Sequence, residues 1–351
     1  MNRNGREEFF DKNYKHTEVH DRLMRPLRDL RVSLTDRCNF RCRYCMPKEV
    51  FGADFAFLPH HKLLTFEEIT RLTGLFQELG VRKVRLTGGE PLLRKNVDDL
   101  VRMLNDIGVD DIALTTNGSA LNSDLAKRLK TAGLRRITIS LDSLRDEVFM
   151  AMNDVHFPVS KVLAAIEAAK EADLNPVKIN MVVKKGWNES SILEMADYFR
   201  GSGCILRLIE FMDVGSTNGW RLADVVTAEE MVSLIQTHWP IHKLPPNYAG
   251  EVALRYEYED GQGEIGVIAS VTQAFCGACT RARLSPEGKL YTCLFGANGL
   301  DLRALLRSGA SDDDIRLAIH NAWLNRDDRY SELRSSLTFP RTKVEMSHIG
   351  G

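Results

Sequence analysis

From about residue 28 to residue 240, short runs rich in aliphatic and β-branched residues alternate with longer runs whose apolar positions recur at helical spacing. The short runs predict strands over Asp29 to Leu34, Lys83 to Leu86, Asp111 to Thr115, Arg136 to Leu141, Val177 to Val183 and Ile205 to Phe211. The longer runs predict helices over Thr65 to Leu79, Asn96 to Ile107, Val159 to Ala172 and Glu189 to Phe199, the last with Asn188 placed to cap its N-terminus. Strand and helix repeating in this way give a parallel sheet with helices outside it. Periodicity leaves both an open doubly wound sheet and a barrel available. Further along the pattern changes. LRYEYED, GQG and EIGVIAS within Tyr248 to Ser270 predict one hairpin, and Thr280 to Cys293 a second, with Pro286 and Gly288 near its turn. A division near residue 225 follows, with residues 1–225 forming the βα body and residues 226–351 an appended region.

Composition narrows the class. Hydrophobic content of 44% and charged content of 27% are globular values, so the 351 residues are expected to fold as one body with an annex. A formal net charge of −1 supplies no global field, so an anionic partner has to be held by a local basic cluster, and broad nucleic-acid binding is disfavoured. The opening MNRNGREEFFDKNYK lacks the apolar core of a signal peptide, and no run reaches the length of a membrane span, so a cytoplasmic location is expected. Six of the seven cysteines fall into two tight triplets, which in a reducing compartment point to metal binding rather than disulfides.

The first triplet, Cys38, Cys42 and Cys45 in DRCNFRCRYCMP, has the spacing C-x3-C-x2-C directly after the first predicted strand. Three thiolates on a four-iron cube leave one iron open to another molecule. A structural zinc with His60 or His61 as fourth ligand is the alternative. LTGGEP ends the second predicted strand, and its adjacent glycines allow a close backbone approach to a ligand or simply make a strand-to-helix turn. Cys276, Cys279 and Cys293 form the second triplet; Cys204 is either a fourth ligand or a buried small hydrophobe, and a closed zinc ribbon is again the alternative. Arg281 and Arg283 share one face if on a strand, as a phosphate fork or as a solvated pair.

The cysteine loop and GGEP together resemble the radical S-adenosylmethionine superfamily. That resemblance implies an incomplete (β/α)6 TIM-type barrel whose first cluster binds S-adenosylmethionine, with the C-terminal hairpins and helices closing the barrel mouth. Over nearly the whole chain, RDLRVSLTDRCNFRCRYCMPKEVFG, VRLTGGEPLLR, LTTNG, GLRRITISLDS, LIEFMDVG, CTRARLS, RDDRYSE and the terminal IGG are similar to the GTP 3′,8-cyclase family, which opens molybdenum-cofactor biosynthesis. The likeness implies two [4Fe-4S] clusters on the two triplets. It implies S-adenosylmethionine contacts at Tyr44, Gly89, Ser140 and Met212. GTP contacts are implied at Arg31, Arg85, Thr115, Lys178, Arg281 and Arg283, with Lys184 as an alternative to Lys178. It also implies a flavodoxin- or ferredoxin-like electron donor, a downstream cyclic pyranopterin monophosphate synthase, and a homodimer as one possible assembly.

Gly350 and Gly351 read by themselves as a frayed end; the resemblance instead sends this tail into the active site as part of the catalytic apparatus. Two rival classes share single features with this chain. A peptide-modifying radical enzyme shares the first triplet but is expected to carry more C-terminal cysteines, and a zinc-stabilised binding protein requires closed four-ligand sites.

Overall fold

The computed structural model describes residues 18–334 and 343–351; the N-terminal run read above for a signal peptide lies outside the described residues up to residue 17. Each of the six predicted strands is present: β1 (Asp29–Ser33), β2 (Lys83–Thr87), β3 (Asp111–Thr116), β4 (Arg136–Ser140), β5 (Lys178–Val183) and β6 (Ile205–Glu210). They pair in chain order, every pair parallel. One face of these strands is apolar: Leu30, Val32, Val84, Leu86, Ile137, Ile139, Ile179 and Met181 are all buried in one core. Alternate residues turn to the other side, into the barrel.

The outer helices supply the rest of that core through Leu72, Leu100, Leu104, Leu129 and Ile166. These helices are α1 (Phe66–Glu78), α2 (Val97–Asp106), α3 (Ser123–Ala132), α4 (Asp146–Asn153), α5 (Val159–Glu171) and α6 (Ile192–Phe199). Thr65 and Glu68 close a reciprocal capping box at the start of α1, so this helix begins where the pattern predicts. At α6 the expectation needs correcting. A 3-10 turn over Glu189–Ser191 precedes it, and Asn188 makes no capping hydrogen bond. Instead the fully buried Asn188 amide donates to the carbonyls of Asp142 and Val182, both at 2.9 Å, and accepts from the Lys184 N–H at 2.9 Å. It ties the loop after β4 to the end of β5.

Both predicted hairpins form, and each is spliced into the sheet. β7 (Ile241–Leu244) and β9 (Glu264–Ile268) each pair antiparallel with β8 (Leu254–Tyr258), and β9 joins β6 in parallel with Leu206 opposite Ile265. At the other edge β10 (Arg281–Leu284) lies parallel to β1, followed by the antiparallel β11 (Lys289–Tyr291) and β12 (Leu300–Asp301). The order is therefore β12-β11-β10-β1-β2-β3-β4-β5-β6-β9-β8-β7, a parallel-rich sheet curved as a partial TIM-like barrel. The remaining helices, α7 (Ala228–Gln236), α8 (Leu302–Arg307), α9 (Asp312–Leu324), α10 (Tyr330–Leu333) and α11 (Met346–Ile349), belong to the C-terminal part. No helix among the described residues is long and apolar enough to cross a membrane.

Asn188→Ala should lower the unfolding free energy by about 1 to 3 kcal/mol, because it strands buried carbonyl and N–H groups. Urea unfolding measures this, and a loss within error of zero would show that water replaces the amide.

Candidate active site

The inward-facing side chains enclose a cavity of about 320 Å³. Its two ends are set by strand direction. Cys38, Cys42 and Cys45 follow the carboxyl end of β1, whereas Cys276 and Cys279 lead into the amino end of β10, which runs parallel beside it. The β10–β11 hairpin carries the chain back, with Tyr291 opposite Arg283, and so returns Cys293 to the same end as Cys279. All six cysteines line the one cavity. A strand of five residues separates the two ends, or roughly 15 Å at about 3.3 Å per residue.

The first cysteine loop is held from two sides. The Gly89 N–H donates to the Thr35 carbonyl and the Glu90 N–H to the Arg37 carbonyl, both at 2.8 Å. A Cβ on Gly89 would overlap the Arg37 backbone, so the glycine pair allows the β2 loop to lie directly on the cysteine loop. Glu90 is fully buried and accepts from the Thr116 hydroxyl at 2.7 Å and from the Asn117 N–H at 2.7 Å. Burial outweighs these bonds and lifts its carboxyl to about 7. From the other side the Tyr44 hydroxyl donates to Asp142 at 2.8 Å, and Asp142 also accepts from the Val182 N–H at 2.9 Å. Burial raises Asp142 to about 6. Cys38 is pushed up to about 12 by burial and by Glu90, and burial also raises Cys42 and Cys45.

Gly89, Ser140, Tyr44 and Met212 all line the cavity, as do Arg31, Arg85, Thr115, Lys178, Arg281 and Arg283. Lys184 does not; its ammonium lies 3.9 Å from Asp224 and stacks over the Trp187 ring. The strand register explains how the cations meet. Arg31 stands opposite Arg85 on one side and Arg283 on the other, and Arg281 stands opposite Asp29. Sequence reasoning missed Lys83, Arg136 and Arg207, which line the same cavity. The signal was available: Lys83 is two residues from Arg85 on β2 and therefore shares its face.

Of these eight cations, Arg136 is paired with Asp111 and Lys83 with Asp29, and the other six have no ion-pair partner among the described residues. Arg85 donates to the Thr115 hydroxyl at 3.0 Å and Arg207 to the Asn180 side chain at 2.9 Å. Arg31 Nε is buried without a hydrogen-bond partner among the described residues. Burial, with the neighbouring Arg207, Arg136 and Arg85, brings Lys178 down to about 7. Burial and like charge also lower Arg207 to about 9 and Arg283 to about 10. An orphaned guanidinium N–H and an ammonium at the edge of losing its proton make a cradle suited to a polyanion.

At the second triplet, burial pushes Cys293 up to about 11. Burial also acts to raise Cys279, but Arg281 and Arg326 outweigh it and bring that thiol to about 7. The other cysteine, Cys204, is 4% exposed in the hydrophobic core and does not line the cavity. His60 and His61 are exposed and do not line the cavity.

The C-terminal tail enters the same space. Ile349 and Gly350 are buried, the Gly350 carbonyl accepts from Arg283 Nη1, and Gly351 lines the cavity. His348 beside Glu287 and Glu345 against Ser216 and Thr217 fasten the approach. Gly350 has φ +78°, and a Cβ there would overlap the Thr87 side chain at the carboxyl end of β2.

The parallel barrel with a C-x3-C-x2-C loop after its first strand and a glycine pair packed on that loop is that of a radical S-adenosylmethionine protein. Residues 32–199 match the family model described as Radical SAM superfamily, and residues 204–332 match Molybdenum Cofactor Synthesis C. The chain is 52% identical over 359 residues to a GTP 3′,8-cyclase of Acidothermus cellulolyticus, covering 95% of this chain and 99% of that protein. It is 48% identical over 338 residues to a GTP 3′,8-cyclase of Staphylococcus epidermidis, with the same coverage. The chain belongs to the GTP 3′,8-cyclase family. Among solved structures, Streptococcus suis SuiB bound to S-adenosylmethionine superposes with a TM-score of 0.61 over 89% of this chain and 69% of that one. At 13% identity that likeness concerns the fold alone.

S-adenosylmethionine and an iron–sulfur cluster are the cofactors of this superfamily, and the first thiol loop fits them. Among the described residues no group of three or more His, Cys, Asp or Glu side chains is gathered as a single-ion site. Cys38, Cys42 and Cys45 would hold the cluster, and His60 and His61, exposed and outside the cavity, do not serve as a fourth zinc ligand.

Gly350→Ala should displace the tail, since the substitution meets both Thr87 and an unfavourable φ. Hydrogen exchange at residues 346–351 is expected to rise several-fold, and unchanged protection would show that the mouth accommodates a side chain there.

Proposed function

We propose that the chain converts GTP to (8S)-3′,8-cyclo-7,8-dihydro-GTP, the first step of molybdenum-cofactor biosynthesis. The ribose 3′-hydrogen is removed, C3′ bonds to guanine C8, and one electron and one proton complete the dihydro product. The observation that carries this reading is a single cavity with a thiol triplet at each end and eight cations between them. When bound, S-adenosylmethionine supplies a 5′-deoxyadenosyl radical on reduction through the cluster held by Cys38, Cys42 and Cys45.

The protein's part is placement. Tyr44, Gly89, Ser140 and Met212 hold S-adenosylmethionine at the carboxyl end of the barrel. Arg31, Arg85, Thr115 and Lys178 hold the triphosphate with Arg281 and Arg283, and the unanticipated Lys83, Arg136 and Arg207 join them. Cys276, Cys279 and Cys293 would hold a second [4Fe-4S] cluster, which would bind the guanine. Gly350 and Gly351 complete the mouth, where Arg283 is shared between the tail and the substrate. Residues 1–225 act as the cofactor-binding barrel and residues 226–351 as the part that presents the second cluster. A cytoplasmic location with a flavodoxin- or ferredoxin-like donor, a downstream cyclic pyranopterin monophosphate synthase and, as one assembly, a homodimer belong to the same reading.

Anaerobic reconstitution followed by incubation with GTP, S-adenosylmethionine and a reductant tests it, with product mass and 5′-deoxyadenosine as readouts. Cys38→Ser, Cys42→Ser or Cys45→Ser should abolish 5′-deoxyadenosine, whereas Cys276→Ser, Cys279→Ser or Cys293→Ser should lose the cyclised product yet keep some cofactor cleavage. Normal cyclisation by the second set would remove the second triplet from the substrate site.

GTP binding should also take up protons near neutral pH. With Lys178 brought down to about 7 from an ordinary 10.5, the free chain leaves it largely neutral above pH 7. A bound triphosphate favours the ammonium and raises that value, so proton uptake is expected from about pH 7 upward and should fade below it. Calorimetry in buffers of different ionisation enthalpy reads the uptake directly. Lys178→Met should abolish it, and an identical uptake in that variant would assign the proton elsewhere.

A further inference from the structure

The second thiol loop is gripped from beneath by a buried ion network that the proposed reaction does not use. Arg326, 4% exposed and just past the end of α9, donates to the Cys279 Sγ at 3.1 Å and to the Cys279 carbonyl at 2.7 Å. Its Nε reaches the carbonyl of Thr292, beside Cys293, at 3.1 Å, and its guanidinium lies over the Trp323 ring. Asp21 accepts from Arg326 at 3.1 Å and from Arg25 at 2.6 Å. Arg25 in turn donates to the Cys276 carbonyl and to the Asp328 carbonyl, both at 2.8 Å. Asp21 and Arg25 are as deeply buried as Arg326.

Both arginines hold backbone carbonyls, which is a structural task. The bond to sulfur is different in kind. A fixed cationic donor on a ligand thiolate favours the more negative, reduced state of a cluster and so raises its reduction potential. Asp21 at 3.1 Å and Asp328 at 3.5 Å are ion-paired with the same guanidinium and offset part of its charge. We propose that Arg326 sets the reduction potential of the second cluster through its hydrogen bond to the Cys279 sulfur, with Asp21 limiting the size of that effect. The inference rests on the reading that Cys276, Cys279 and Cys293 hold a cluster. Arg326 lines the cavity, and in this scheme it is a positioning residue because it acts on the cluster through Cys279.

The test is a redox titration followed by electron paramagnetic resonance on the full chain in a Cys38→Ala background, where only the second cluster contributes. Iron and sulfide are measured first. A Cys38→Ala chain that retains neither overturns the second-cluster reading itself, and this inference with it, before any titration is run. With the cluster present, Arg326→Gln should lower the midpoint potential and alter the resonance line shape. Arg326→Lys should fall between Gln and the unsubstituted chain, and Asp21→Asn should move the midpoint upward. Opposite shifts for Asp21→Asn and the Arg326 variants are what charge at the sulfur demands; a merely structural network has no reason to produce them. Unchanged midpoints, or shifts of the same sign in Asp21→Asn and Arg326→Lys, would overturn the proposal. So would loss of iron and sulfide in every variant, by showing that the network holds the loop and nothing more.

Discussion

The constraint on which this molecule turns is the polarity of the inner face of its parallel strands. Parallel strands covered on both sides are ordinarily apolar on both. Here the outer face obeys that rule, whereas the inner face carries Arg31, Lys83, Arg85, Arg136, Lys178, Arg207, Arg281 and Arg283 into one cavity. Asp29 answers part of that charge: burial alone would raise its carboxyl, but Lys83, Arg31 and Arg85 outweigh it and hold it low. Asp111 pairs with Arg136, and Arg31, Arg85, Lys178, Arg207, Arg281 and Arg283 face the cavity with no ion-pair partner among the described residues. The outer core of leucine, isoleucine and valine therefore has to carry the stability that the inner face withholds.

Rigid loops matter for the same reason. A cluster ligand or a nucleotide contact that wanders by an ångström loses its geometry, and both thiol loops are tied by buried polar groups. At the first, Glu90 accepts from the loop after β3, and Asp142, after β4, accepts from Tyr44 of the cysteine loop. At the second, Arg25 and Arg326 hold carbonyls on both arms of the loop. The carboxylates raised by burial and the arginines fixed by Asp21 are two solutions to one problem, a polar brace in a place water does not reach.

Much of this was legible in the chain because local signals agreed with the final fold. The six strands end within two residues of their predicted limits, since aliphatic runs of that length flanked by polar turns have few other uses. Thr65 and Glu68 mark a helix start that tertiary structure leaves alone. Asn188 misled because its amide satisfies a buried loop rather than the helix beside it. Helices α3 and α4 are absent from the predicted set, although α3 is as long as α2. What no local pattern carries is the pairing of β10 with β1 and β9 with β6, because strands separated by so much chain find each other through the whole sheet. The same limit hid the network around Arg326, whose partners Asp21 and Arg25 lie near the other end of the chain.

That long-range pairing is also what gives the site its shape. Had β10 joined β1 antiparallel, Cys279 would have followed the strand to the same end as Cys38, and the two thiol loops would have competed for one mouth. Running parallel, β10 puts its cysteines at the amino end while Arg281 and Arg283 climb beside Asp29 and Arg31 toward the first loop. The arginines thus span the gap between the two thiol sites, and the tail, received by Arg283 and Thr87, comes in from the carboxyl end. A substrate held along those arginines has one end toward each thiol loop. Strand direction at a single sheet edge, rather than any one side chain, is what places the two thiol triplets at opposite ends of one cavity.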